Sequence, residues 1–400
     1  MNGIAALKGV ARHYDWGGFD YIPALLNTSN DVKKPFAEYW MGTHPQAPCE
    51  VMINGEEKIL RDMIAANPQL IGEQVKERFG ELPYLLKVLD VKDMLSIQVH
   101  PSKKEAEQDF AKENAAGIPL NSPQRNYKDA NHKPELMVAL GDFWLLHGFK
   151  PEPQLHYILQ TIPELNYLEE YFKEGGYAGL YKYIMEMPQQ EVDVVLTPLV
   201  ERITDLYRQN KLEKKQEDFW AARAAIHFSN NGHIDRGIFS VYLFNLVHLQ
   251  PGQAIFQDAG VPHAYLEGQN VEIMASSDNV LRGGLTSKHI DVPELLRHVK
   301  CETTHPDVLP GIKKQGAWVY HTPAPDFELS RYALINGETI SFTASTAEII
   351  ILTHGVATLS ADGVSVELKA GQPAAVAFAG QTVEVIATGN VQLFRASVPG

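Results

Sequence analysis

Cysteine is scarce in this chain: only Cys49 and Cys301 occur among 400 residues. Two thiols cannot staple a polypeptide of this length or build a sulfur-rich metal site, and a reducing cytoplasm is the expected compartment. Uninterrupted apolar runs of about 20 residues, the length a membrane-spanning helix needs, are missing too. The start, Met1 to Lys8, lacks the apolar stretch of a secretion signal. Positive charge is also in deficit, with 35 basic against 49 acidic side chains and a formal net charge of −14. Non-specific binding to nucleic acid or an anionic membrane is therefore disfavoured. A small anionic ligand is not excluded, because a local Lys/Arg cluster outweighs a distant field that salt screens beyond roughly 10 Å.

What is present is an ordinary globular composition, 44% hydrophobic and 21% charged, with 24 prolines and 30 glycines spread along the chain. That many breakers predict numerous short elements, and the length predicts two or three domains. Short alternation suggests brief strands and loops in Met1 to Glu50, helices fit Lys58 to Ala66 and Pro68 to Phe79, and Leu82 to Leu89, Met94 to Val99, Glu135 to Leu140 and Phe143 to Phe149 read as strands. From Pro151 to Phe228 leucine, isoleucine, tyrosine and phenylalanine recur at helical spacing, predicting an inserted helical domain. Phe239 to Leu249 reads as one long apolar strand. From Ala317 onward, seven strand-length apolar segments between turn signals predict a closed antiparallel β-barrel or jelly roll. The expected fold is thus mainly β. A discontinuous catalytic domain covers 1–149 and 236–316, a helical domain 150–235, and a second β domain 317–400.

Chemistry concentrates between Ser96 and Glu135. In an extended strand Gln98 and His100 share a face, placing an amide oxygen beside an imidazole. Glu135 opens an apolar strand, where an unpartnered carboxylate costs several kcal/mol. With His263 from the turn Gly260-Val261-Pro262-His263, these four make a mixed N/O donor set of the kind zinc accepts at a catalytic centre. The run Glu272 to Lys288 is the other dense polar stretch. Its Arg282, before two glycines, suits phosphate oxygens, and Lys288 adds a point charge. The expected ligand is a phosphorylated sugar.

Longer motifs sharpen this reading. Leu95-Ser96-Ile97-Gln98-Val99-His100-Pro101, the stretch Asn126 to Glu135, Pro262-His263-Ala264-Tyr265-Leu266, Ser277 to Arg282 and Glu38 to Pro45 follow one another in an order that resembles the type I mannose-6-phosphate isomerases. The resemblance implies paired cupin-like β domains with a helical insertion and one Zn²⁺ per chain on Gln98, His100, Glu135 and His263. It implies an aldose–ketose exchange between mannose 6-phosphate and fructose 6-phosphate through an enediol. Lys133, Glu272, Tyr265, Asp278 and Arg282 match pocket positions, and Ser96 and Lys288 match positions linked to phosphate recognition. His132 stands in reserve for ring opening, while the base is Lys133 or Glu272. The carboxyl-terminal β domain lacks the ligand set and is expected to be metal-free. Another sugar-phosphate isomerase or epimerase, or a non-catalytic sugar-phosphate sensor, are the competing expectations. The chain is expected to act as a monomer or homodimer in the cytoplasm, without nucleic-acid or membrane partners.

Overall fold

The structure is a computed structural model that describes residues 3–229 and 232–400. Two extended antiparallel sheets carry it. In the first, strands run in the order Ile312–Lys314, Ala317–Tyr320, Glu328–Leu334, Thr382–Ser397, Glu348–Ala361, Ala374–Ala377, Ile4–Lys8, Glu50–Ile53, Glu56–Ile59. In the second the main path is Phe244–Leu249, Phe143–Phe149, His263–Ala275, Tyr84–Val91, Glu38–Gly42, Val10–Arg12.

Neither path returns on itself, and this corrects the expectation of two cupin-like barrels or jelly rolls in a mainly β chain. The fold is mixed α/β with open sheets. The seven carboxyl-terminal segments fall short of a closed unit because several are halves of one strand. Glu348–Ala361 is continuous, with register shifts on either side of His354, and Thr382–Ser397 is continuous as well. Beyond Ala374–Ala377 the same sheet continues into the amino terminus, with Ala5 opposite Val376 and Leu7 opposite Val51. Alternation specifies which face a residue takes but not which distant strand it meets.

Helices Glu152–Thr161, Leu168–Glu186, Gln189–Arg208 and Glu217–Phe228 occupy the region read as helical. The apolar run from Phe239 is not all strand: Gly237–Leu243 is a helix, and the strand starts at Phe244. Asp235 accounts for the break, because its Oδ1 accepts the Gly237 N–H at 2.7 Å and so opens a helical turn. No helix among the described residues is long and apolar enough to cross a membrane.

One buried apolar cluster joins the sheets, bringing Tyr84, Leu86, Val88, Leu136, Val271 and Ile273 against Ile349, Ile351, Val376 and Phe394. A second packs the helices against Ile97, Val99, Leu146 and Leu266. Strand His263–Ala275 lies between these cores. Its outer part, Gly268 to Ala275, pairs with Tyr84–Val91, while His263 pairs with both Gln98 and His147. Gly268, at φ +131°, marks the change: a Cβ there would sit 2.6 Å from the Asp142 carbonyl oxygen. Glycine lets the strand turn from one set of partners to the other.

Candidate active site

Three elements deliver the central donors. The strand Ile97–Val99 carries Gln98 and leads into His100; Glu135 is the first residue of Glu135–Ala139; His263 is the first of His263–Ala275. All three donors named beside Gln98 are buried. His100 Nδ1 donates to the Asn279 carbonyl at 2.9 Å, and His263 Nδ1 donates to the Val261 carbonyl at 3.0 Å. A carbonyl can only accept, so both imidazoles hold their proton on Nδ1 and turn a lone pair inward from Nε2. Those Nε2 atoms are buried without a hydrogen-bond partner and lie 3.5 and 3.4 Å from the Glu135 carboxylate.

Burial, aided by the nearby Lys133 charge, pushes the His100 pKa down to about 4, so the ring stays neutral. Burial opposes ionisation of Glu135, but Lys133 and the imidazoles outweigh it and hold its pKa well below the usual carboxylate range. Two inward-facing imidazole Nε2 atoms and a carboxylate, within 4.8 Å of one another, fit a divalent ion such as zinc. The outward Nδ1 bonds also fix both rings in place, as metal-bearing histidines require. Gln98 lies opposite His263 in the ladder and lines the same small cavity.

Glu135, His263, Lys133, Tyr265 and Glu272 also line that cavity. Lys133 Nζ is 2.5 Å from Glu135 Oε1. Tyr265 donates its hydroxyl to Glu272 Oε2 at 2.9 Å. Burial raises the Glu272 pKa, and the Glu135 and Glu38 charges add to the rise against the pull of Lys87 and Lys133.

Lys87 and Glu38 escaped the sequence reading. Lys87 Nζ sits 3.2 Å from Glu272 and 3.7 Å from Glu38, and 4.9 Å from the centroid of the Trp40 ring whose indole N–H donates to Glu38. Burial lowers the Lys87 pKa, but the Glu38, Glu272 and Glu135 charges raise it above its ordinary value. The sequence signal was a lone lysine inside the apolar run Leu82 to Leu89, directly opposite Trp40 and Glu272 in the ladders.

The polar loops are stitched together beside this cavity. Asp129 accepts from the Ser277 hydroxyl and the Asp278 N–H, both at 2.8 Å, and the Asn279 amide donates to the Asp129 and Asn131 carbonyls. Because Asn279 also holds His100, this stitching sets the position of an imidazole.

The remaining expected residues do not line that cavity. Arg282 faces Gln98 in the ladder, and among the described residues its guanidinium has no hydrogen bond or ion pair. Burial lowers its pKa. Lys288 is exposed, with its pKa lowered by partial burial and by Arg282, and it lines a wider groove with Arg236 and Met185. Ser96 immediately precedes the Gln98 strand. Asp278 contacts Gln46 and His44. His132 is not among the cavity-lining residues; its Nε2 is 2.9 Å from Asp326 in the carboxyl-terminal segment.

Comparison with known proteins agrees with the geometry. Residues 4–152 match the family model for the catalytic domain of phosphomannose isomerase type I. Mannose-6-phosphate isomerase of Escherichia coli K12 is 38% identical over 374 residues, covering 92% of this chain and 93% of its own length. The human enzyme is 33% identical over 421 residues, covering 92% and 96%. The crystal structure of the Salmonella typhimurium enzyme bound to fructose 6-phosphate and zinc superposes with a TM-score of 0.89 at 34% identity over 100% of both chains. A zinc-bound holo structure of a mannose 6-phosphate isomerase gives the same score, identity and coverage. The chain therefore belongs to the type I mannose-6-phosphate isomerase family.

Proposed function

We propose that the chain is a zinc-dependent enzyme that interconverts D-mannose 6-phosphate and D-fructose 6-phosphate through a cis-enediol(ate), with Gln98, His100, Glu135 and His263 holding the ion. The observation that carries this reading is the pair of buried Nε2 lone pairs converging on Glu135 at the wall of a polar cavity. Close relatives of this sequence catalyse that exchange and carry zinc in their crystal structures. When bound, zinc supplies a Lewis acid that favours negative charge on a sugar oxygen.

The chain's own side chains supply the rest. An aldose–ketose exchange moves a proton between adjacent carbons and needs a base, a proton donor for oxygen and a positive centre for developing charge. Glu272 suits the carbon proton better than Lys133 does. Its burial gives a carboxylate of raised basicity, steadied by Tyr265, whereas Lys133 is an ammonium held against Glu135. Lys133 is then the donor to the sugar oxygen, and Arg282 faces the oxygen charge. Ser96 and Lys288 take the phosphate, whose remote binding energy orients the sugar. Asp278 orients a hydroxyl, and His132, backed by Asp326, serves ring opening. Both cysteines are free, in keeping with work in the cytoplasm, as a monomer or homodimer.

Incubation of the metal-loaded protein with mannose 6-phosphate in deuterated solvent, followed by NMR, tests the reaction. Fructose 6-phosphate is the expected product; return of an epimeric aldose, or binding without turnover, would overturn the proposal.

A further inference from the structure

The segment Glu38 to Pro45 carries, just before its final proline, a histidine to which the isomerase mechanism gives no role. His44 is buried, 6% exposed, and its ring meets Trp40 edge-on at 5.0 Å between centroids. Its two nitrogens have opposite surroundings. Nδ1 accepts the backbone N–H of Gln46 at 3.2 Å, and Nε2 lies 3.4 Å from Oδ2 of Asp278, 234 residues further along the chain. A proton on Nδ1 would set two donors against each other. The ring is therefore held as the tautomer with its proton on Nε2, aimed at the carboxylate.

Asp278 is fixed from other directions too. Gln46 Nε2 donates to the same Oδ2 at 3.1 Å, and the Asp278 backbone N–H donates to Asp129. With Oδ2 occupied by His44 and Gln46, Oδ1 has no hydrogen-bond partner among the described residues. The side chain is 33% exposed and feels the charges of Lys133 and Lys87, which line the cavity. It thus stands close to the cavity lysines, with one oxygen clamped and the other without a hydrogen-bond partner among the described residues. The clamp is also braced from the interior, since Trp40 both packs on His44 and donates to Glu38 in the buried Lys87 cluster.

We propose that His44 is a positioning residue that clamps Oδ2 of Asp278 through a fixed Nε2–H tautomer, so that Oδ1 is presented to a hydroxyl of the bound sugar phosphate. This rests on the isomerase reading for the identity of the sugar. The clamp itself is a property of the free protein. Its logic is that of a substrate-orienting group: a carboxylate able to swing loses orientation before it loses charge, and small misplacements carry large costs in rate.

Two substitutions separate the ring's two sides. In His44→Asn the amide reaches the Nδ1 position and loses the donor on Asp278; in His44→Gln the amide nitrogen reaches the Nε2 position and keeps it. Expected is a fall in kcat/KM of about tenfold or more for His44→Asn, carried mainly by kcat, with recovery to within about threefold in His44→Gln. Zinc content and thermal midpoint should match the wild type. Asp278→Asn should remove most of the effect of His44→Asn when the two are combined. In the wild type, ¹⁵N-histidine NMR with His44 assigned by its loss in either variant should show a neutral ring protonated on Nε2. Equal loss in both variants, additivity with Asp278→Asn, or a ring protonated on Nδ1 would overturn the clamp. If the wild type shows no turnover at all, the isomerase reading fails and the tautomer alone decides the clamp.

Discussion

The rings of His100 and His263 lie 5.0 Å apart, centroid to centroid, each tied outward by Nδ1 to a backbone carbonyl and open inward at Nε2. Leaving two buried nitrogens unsatisfied beside one carboxylate is expensive for a protein on its own. The arrangement makes sense only if a cation completes it.

Metal removal should therefore cost both turnover and stability. Protein purified without chelator should carry about one zinc per chain. At a free ion concentration about 100 times the dissociation constant, the ion adds about 2.7 kcal/mol to the folded state, lost on chelation and regained on readdition. Calorimetry with and without chelator measures this. Gln98→Leu should weaken retention about tenfold or more; full metal content and full activity in that variant would remove Gln98 from the ligand set.

Among the described residues the half-buried Arg282 guanidinium has no hydrogen bond or ion pair, and in the proposed mechanism it meets an anion. Arg282→Ala should lower kcat/KM by about 10²–10³, the range for removing one fixed donor to developing charge. Arg282→Lys should fall between, because an ammonium lacks the planar fork. Since no protein partner is lost, the thermal midpoint should hold. Unchanged kinetics would take Arg282 out of the pocket.

How much of this could be read from residues alone depended on how local the signal was. Gln98 and His100 are two apart, Pro134-Glu135 and Pro262-His263 are turn-to-strand boundaries, and Ser102 with Glu105 three residues on forms the capping box that starts the helix Lys103–Ala115. Such signals survive in one dimension. The buried Lys87 did not, because a strand with partners on both sides reads as a plain apolar run whether or not one member is a paired cation. Nor did the Asp326 partner of His132 or the His44 partner of Asp278, which depend on long-range register. The open sheets were missed for the same reason: nothing near Ile4–Lys8 announces that it will extend a sheet built from the other end of the chain.

Lys87 carries a test of its own. It is the cation paired with both Glu38 and Glu272, which are buried, and removing it leaves those carboxylates without that compensating charge. Lys87→Met should destabilise the protein by about 3–5 kcal/mol. Adding Glu38→Gln should return part of that, since one unpaired charge goes with it. Urea unfolding monitored by tryptophan fluorescence checks both; a loss below about 1 kcal/mol for the single variant would mean that water or relaxation reaches the cluster.

Acid stability should report on the contacts that pin the signature segment Asn126 to Glu135. Tyr127 hydrogen-bonds to Glu294 and, at 2.7 Å, to His298, while Arg297 also pairs with Glu294. Burial alone would raise the Glu294 pKa, but hydrogen bonds from His298, Arg297 and Tyr127 pull it from the ordinary 4.5 down to about 2. A carboxylate whose pKa is depressed by folding stabilises the folded state fully above its unfolded pKa and loses that contribution as pH falls through the folded value. The gap in unfolding free energy between wild type and Glu294→Gln should thus be constant near neutrality, at about 1–2 kcal/mol after allowing for solvent screening. It should close between pH 4.5 and about 2. Neighbouring Asp109 and Glu105 titrate in both proteins, so the difference isolates Glu294 to first order. A gap that stays flat, or widens, through that window would show that the folded protein does not favour the Glu294 carboxylate, and that Tyr127 is held by packing instead.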